Sequence, residues 1–179
     1  MVAKLFAMLG EHCLVWNVRG LNSRARRNVV QELVDQENIS LISLQETKLD
    51  VCSNDLVREI CGANFDYVYQ PASNTCGGIL LAWKSNIWSV TNPSVREYSL
   101  TARVTLLQTD ETWWLISVFA GMKTVGNDRR KTPPFSLSHF FIENESDTVF
   151  LKTKTTRYSG NFGNENIQSR TIETHQNDI

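Results

Sequence analysis

The sequence predicts an α/β (or α+β) fold class: a mixed sheet made from a βαβ start and an antiparallel meander, followed by a polar C-terminal tail. Three observations carry that prediction. Two apolar runs of strand length, "HCLVWNV" and "ISLISLQE", flank a segment whose apolar residues recur at helical spacing. From Phe65 to Phe119, short runs rich in β-forming residues alternate with turn residues. Beyond Gly121 both periodicities fade.

Taken in order, "HCLVWNV" predicts a buried strand ending near Asn17 or Val18, because the turn-forming "RGLN" with Gly20 follows at once. In "SRARRNVVQELVDQENI", Ala25, Val29 and Leu33 with Val30 and Val34 fall on one helical face. Asn22 or Ser23 supplies the cap, and Arg24, Arg27, Gln31 and Asp35 form the outward face. "ISLISLQE" predicts a second strand. Strand, helix and strand joined by short connections make a βαβ unit, whose parallel strands present their carboxyl ends to one crevice. Asn17 and Glu46 stand at those two ends.

"SNDLVREICGANF" predicts a short helix with Leu56, Val57 and Ile60 inward, and "FDYVYQP" a strand with Phe65, Tyr67 and Tyr69 on one face. In "CGGILLAW", Gly77 and Gly78 predict a bulge or a close backbone approach. "NIWSVT", "REYSLTARVTLLQT" and "TWWLISVF" complete the meander, the last two joined by a polar hairpin turn at Asp110 and Glu111. The remainder, from about Asn144, is polar and rich in Asn, Thr and Ser, so it lacks the apolar surface needed to offset its own ordering entropy. A weakly ordered tail is the expectation there.

A length of 179 residues suits one domain and a tail, and a hydrophobic share of 41% is enough to bury a core. The net charge of −1 exerts no global pull on nucleic acid, so any such contact needs a local patch. Cys13, Cys52, Cys61 and Cys76 lack the close pairs of a zinc site and the density of a disulfide scaffold, which points to a reducing, intracellular setting. Cys13 and Cys76 lie within apolar runs, as small buried thiols do. The N-terminal "MVAKLFAMLGEHC" lacks a secretory h-region, and no run has the roughly 18 apolar residues of a membrane span.

A carboxylate and an amide at neighbouring strand ends suit a hard divalent cation with a phosphate. Magnesium takes oxygen ligands and keeps several waters, so one or two protein carboxylates suffice. Arg19, Arg24, Arg26, Arg27 and Lys48 cluster near the same rim in sequence. Alone, each has a plainer reading: a strand-end glutamate as a solvated surface residue, the arginines as a solvated helix face.

The order "WNVRGLN", "QETK", "FDYVY", "GGILLAW", "WWLISVF" resembles the start of the endonuclease/exonuclease/phosphatase superfamily, and most of all the endonuclease domain of plant LINE-type (non-LTR) retrotransposons. The resemblance covers about residues 10–120 and leaves 121–179 as an unrelated or weakly ordered segment. It implies an incomplete DNase I-like α/β sandwich and a magnesium-dependent phosphodiesterase that nicks DNA. It also implies that Glu46 matches the metal-binding glutamate and Asn17 the asparagine beside it, with nuclear or cytoplasmic residence and DNA as a weakly held partner.

Departures from the family pattern follow. Where the family has Tyr-Gly-Pro, this chain has Phe119, Ala120 and Gly121. The Asp-Phe-Asn and Ser-Asp-His motifs, which orient water and supply the general base, are not recognisable; "SGNFGN" would put Asn161 and Gly163 in place of the first motif's polar residues. His12, His139 and His175 have no preceding aspartate. The expectation is an incomplete relative without turnover. Two alternatives stand beside it: a working nuclease with His139 or His175 as base, and a non-catalytic module that binds nucleic acid or protein, or self-associates through an exposed sheet.

Overall fold

Strands that are apolar on both sides need cover on both sides, and that requirement organises this molecule. The structure is a computed structural model and describes residues 3–8, 10–73, 77–119, 137–143 and 148–154. Its elements are β1 (Ala3–Met8), β2 (Glu11–Asn17), α1 (Arg24–Gln36), β3 (Ile39–Gln45), α2 (Asn54–Cys61), β4 (Phe65–Gln70), β5 (Ile79–Lys84), β6 (Trp88–Arg96), β7 (Ser99–Leu106), β8 (Glu111–Phe119), β9 (Leu137–Glu143) and β10 (Thr148–Lys154). One five-stranded sheet has the order β1-β2-β3-β5-β4 and the other β10-β9-β8-β7-β6.

The βαβ unit is present: β2 and β3 pair in parallel, with Asn17 opposite Gln45. Every residue of β3 is buried. Ile42 and Leu44 of β3 join Leu14, Trp16, Leu80 and the helices in one core. Leu41 joins Val15, Ile79, Leu81 and the second sheet's Trp88, Ala102 and Leu115 in the other. The layers therefore run helices, first sheet, second sheet. Trp88 Nε1 donates to Ser40 Oγ at 3.0 Å, so the indole that plugs the inter-sheet core keeps its polar atom satisfied.

Ser23 caps α1, its hydroxyl accepting from the Arg26 N–H, and Ser53 caps α2 in the same way through the Leu56 N–H. The helical face of α1 is rotated from the expected one. Val30, Leu33 and Val34 are buried, whereas Ala25 is exposed and Val29 is 51% exposed. Arg27, expected outward, is tucked in: its guanidinium donates to the Leu21 carbonyl at 2.9 Å and the Asn22 carbonyl at 3.1 Å, and lies 3.1 Å from Glu59 on α2. An interhelical ion pair and two loop carbonyls hold that edge inward, and the apolar contact shifts by one position.

The expected meander from Phe65 to Phe119 is divided between two sheets. β5 inserts between β3 and β4, antiparallel to both. The chain then crosses to the second sheet through a turn closed by the Ile87 N–H on the Lys84 carbonyl at 3.0 Å. Only β6, β7 and β8 form an up-and-down meander, with Leu100, Ala102, Val104 and Leu106 alternating inward on β7. Phe65, Tyr67 and Tyr69 do share one face of β4, packed on the helix-side core. The hairpin expected at Asp110 and Glu111 is a turn ending at Asp110, which has φ 58, while Glu111 opens β8 opposite Leu106.

Three strands were not foreseen. β1 pairs with β2 at the sheet edge. β9 pairs with β8, and β10, within the expected polar tail, pairs with β9. Pairing onto an existing strand supplies backbone hydrogen bonds whether or not a local period announces them, and "TVFLKTK" is rich in β-formers. Ala120, Gly121, Asn161, Gly163, His175 and Cys76 lie outside the described residues. Among the described residues no helix is long and apolar enough to cross a membrane.

Cys13, Cys52 and Cys61 are buried free thiols. Burial pushes Cys52 up to about 11, and pushes Cys13 and Cys61 up further. A folded-state pKa raised above the unfolded value contributes stability that is complete below the unfolded pKa of about 8.5 and is lost as pH rises past it. Urea titrations at pH 7 and pH 10 are therefore expected to show stability falling through the alkaline window, by about 1 kcal/mol per pH unit for each thiol. Cys61→Ala should flatten that slope; an unchanged slope would show that the thiols do not carry it.

Candidate functional site

Asn17 is the last residue of β2 and is 6% exposed. It continues the row of Cys13 and Val15, so it belongs to the face of the first sheet that meets the second. Directly opposite it, Gln45 ends β3 and is fully buried. Glu46 is the next residue, half-buried at the rim. The structure thus brings the two sequence-predicted site residues to adjacent strand ends, one residue out of register.

Hydrogen bonds on both flanks hold the chain leaving β3. On the β2 side the Val18 N–H donates to the Gln45 carbonyl at 3.0 Å, and the Leu21 N–H to the Thr47 carbonyl at 2.8 Å. On the β5 side the Thr47 N–H donates to the Gly78 carbonyl at 3.1 Å, and the Lys48 N–H to the Gly77 carbonyl at 3.0 Å. Between those clamps Glu46 and Lys48 both adopt left-handed backbone, φ 54 and φ 58. Neither is a residue type that favours it, and such conformations cost on the order of 1 kcal/mol each. They persist because the surrounding bonds over-determine them, and strain of this kind concentrates at functional sites. The left-handed turn also takes Glu46 out of the alternation that buries Gln45.

The glycine pair forms the opposite lip. Gly77 has φ 75 and Gly78 φ 87, and a Cβ on Gly77 would stand 2.2 Å from Phe119 Cζ. One on Gly78 would stand 2.4 Å from Thr47 Oγ1 and 3.3 Å from the Lys48 N. The expected close backbone approach is therefore real, and it is what seats β5 against the end of β3. Phe119 packs edge-on to Tyr98, ring centroids 5.8 Å apart, and its N–H donates to the Tyr98 carbonyl at 3.0 Å. Gln70, buried at the end of β4, donates to the Glu97 carbonyl, so the β6–β7 turn is docked on the same rim.

Beneath the rim, a polar link crosses the core. Gln45 Nε2 donates to Ser117 Oγ at 3.0 Å, and Ser43 Oγ to Ser117 Oγ at 3.2 Å, with all three residues buried. The bonds tie β3 to β8 where a misfit between sheets would displace Glu46.

The basic residues divide. Arg26 donates to the Arg19 carbonyl at 3.0 Å and the Gly20 carbonyl at 3.3 Å. A Cβ on Gly20 would meet both Arg26 Nη1 and Lys48 Cδ at 3.2 Å, so these two side chains converge over that glycine, beside the Glu46 turn. Arg24 and Arg27 instead pair with Glu59, at 3.6 Å and 3.1 Å. The expected uniform solvated face is thus two loop-stapling arginines and one exposed one, Arg24. Gln70, Thr47, Tyr98 and Ser117 belong to the rim or its support and carried no signal in the sequence, since each owes its place to a pairing distant along the chain.

Among the described residues no group of three or more His, Cys, Asp or Glu could hold a metal ion. His139 lies in β9 opposite Val118. No family model matches the chain. No curated protein matches it either.

Two substitutions test this construction. Gly77→Ala should destabilise by about 2–4 kcal/mol in urea, from the left-handed φ and the clash with Phe119 together, and Phe119→Leu in that background should recover part of the loss. Ser117→Ala should cost about 1–2 kcal/mol by removing the hydroxyl that accepts from both Gln45 Nε2 and Ser43 Oγ, read by the same titration.

Proposed function

We propose that this chain is an incomplete relative of the magnesium-dependent phosphodiesterases of the endonuclease/exonuclease/phosphatase superfamily, of the retrotransposon-endonuclease type that nicks DNA, and that it does not turn over substrate. The observation that carries the reading is the register of β2 on β3. It puts Asn17 and Glu46 at the carboxyl ends of two parallel strands, in a rim whose backbone is held left-handed at Glu46 and Lys48. The layering of helices, mixed sheet and second sheet agrees with an incomplete DNase I-like sandwich.

The residues present fit a sparsely held magnesium rather than a protein cage. One half-buried carboxylate stands at the rim without two further acidic or imidazole partners among the described residues. That suits an ion which keeps its waters and leans on substrate phosphate. Glu46 would hold it. When bound, such an ion stabilises charge developing on the phosphate oxygens. Asn17 orients the group beside Glu46, and Arg26 with Lys48 place positive charge where a phosphodiester would approach.

The missing half decides the activity. General-base catalysis contributes about 100- to 10,000-fold, and the groups that would orient the base and the water have no counterpart in the sequence. Phe119 stands where the family has a tyrosine, so the phosphate-facing hydroxyl is also missing.

Incubation with supercoiled plasmid and magnesium is expected to leave the plasmid uncut, while polarisation with a short duplex should show only weak binding, on the order of 10–100 µM and weaker still in salt. Nicking that disappears in Glu46→Ala would overturn the inactive reading and favour an unusual working nuclease. Binding that is insensitive to salt and to Lys48→Ala would count against the phosphate-facing role of the rim.

A further inference from the structure

Among the described residues, β4 is an outermost strand of the first sheet and β6 of the second. β6 is blunted as an edge: its register on β7 shifts between Thr91 and Ser94, and Pro93 inside that irregularity has no N–H to offer. β4 carries neither device. Its six residues, Phe65–Gln70, pair with β5 without a break, so its other edge turns outward a continuous row of backbone donors and acceptors. A cleft of about 420 Å³ is lined by residues of this strand, within the roughly 300–1,000 Å³ of ligand-binding clefts. Phe65 and Tyr67 reach it from the helix side of the sheet, with Val57 and Arg58 of α2; Asp66 reaches it from the inter-sheet side, in one row with Trp83. Lining from both faces of one strand puts the cleft at that strand's edge.

We propose that this edge takes an extended peptide of a partner protein as an added strand, with apolar side chains on the helix side and a lysine or arginine beside Asp66. Side chains of an added strand alternate between the two faces, and the cleft has a half on each. Charge sets the order. On the helix side Arg58 lines the cleft and the Lys84 ammonium lies 5.8 Å from the Phe65 ring centre, so a basic side chain there would be repelled.

The walls on that side, buried Val57 and two half-buried aromatic rings, suit apolar side chains. On the other side Asp66 is exposed and enters no ion pair among the described residues. Half-buried Trp83 beside it adds the aromatic ring on which a cation also gains. Apolar, basic, apolar reads the same along either strand direction, so the pattern does not depend on which one the peptide takes. The helix-side wall is set in advance: the Tyr67 hydroxyl donates to the Cys52 carbonyl at 3.1 Å and to Asn54 Oδ1 at 3.0 Å, which fixes its ring before a peptide arrives.

Fluorescence polarisation on the full chain is the test, with the labelled, capped peptide Ser-Thr-Val-Lys-Val-Thr-Ser as probe. Binding is expected on the order of 10–100 µM. Replacing the peptide's lysine by glutamate should weaken it about tenfold or more, and Asp66→Lys, at an exposed position, should reverse that preference. N-methylation of alternate amides along one edge of the peptide should abolish binding, and along the other edge should spare it, because only one edge bonds β4. No binding at about 1 mM overturns the proposal. So does binding indifferent to the lysine-to-glutamate exchange, which would leave Asp66 as a charge that merely guards the edge. Equal affinity of the two methylated peptides overturns the added-strand geometry. None of these outcomes depends on the phosphodiesterase reading, because the cleft lies at the Phe65 end of β4 and the rim at its Gln70 end.

Discussion

β3 is buried along its whole length, and nearly everything else in the fold answers to that. A strand with Ile42 and Leu44 on one side and Leu41 on the other has no face to give to water. One side recruits α1 and α2; the other recruits a second sheet. The parallel pairing with β2 follows from the short helical crossover, and the antiparallel insertion of β5 fills the remaining edge. Because backbone groups at the centre of such a sheet must be paired, the end of β3 is bonded on both flanks, by the loop after β2 and by the glycines before β5. The rim is a consequence of how a doubly buried strand has to stop.

That stop is where local preference and global structure disagree. Glu46 and Lys48 sit in left-handed backbone that neither residue favours, Gly77 and Gly78 occupy places where a Cβ would clash, and a polar Ser43–Gln45–Ser117 link replaces apolar packing just below. Conflicts of this sort are what functional sites look like in an otherwise consistent sequence. Here they surround a carboxylate and an amide, with two cations converging beside them. It is this coincidence of strained backbone with charged and amide side chains that the proposed function rests on.

Much of this could be read directly. The βαβ start, the caps at Ser23 and Ser53, the aromatic face of β4 and the close approach at Gly77 and Gly78 are all local signals, set by period, by cap chemistry or by a missing Cβ. Other features were misread for reasons that are physical. Ala25 and Val29 fit a helical stripe as well as Val30 and Leu33 do, and the ion pair of Arg27 with Glu59, distant in sequence, chose between them. The run from Phe65 to Phe119 contains the right strands, but strand period alone carries no information about which sheet a strand joins. β10 formed in a stretch with no readable period because its partner, β9, supplies what the stretch lacks.

What the sequence by itself determined is the βαβ start, α2 and the strands β4 to β8, with the two residues at the carboxyl ends of the first parallel pair, because strand length, helical spacing and glycine placement act within a few residues of themselves. What only the tertiary structure decided is the division of the meander into two sheets, the convergence of Arg26 and Lys48 over Gly20, and the arrival of Ser117 under Gln45. Each of these depends on contacts between residues tens of positions apart. They are settled by which buried faces must be covered, and no local propensity records that choice.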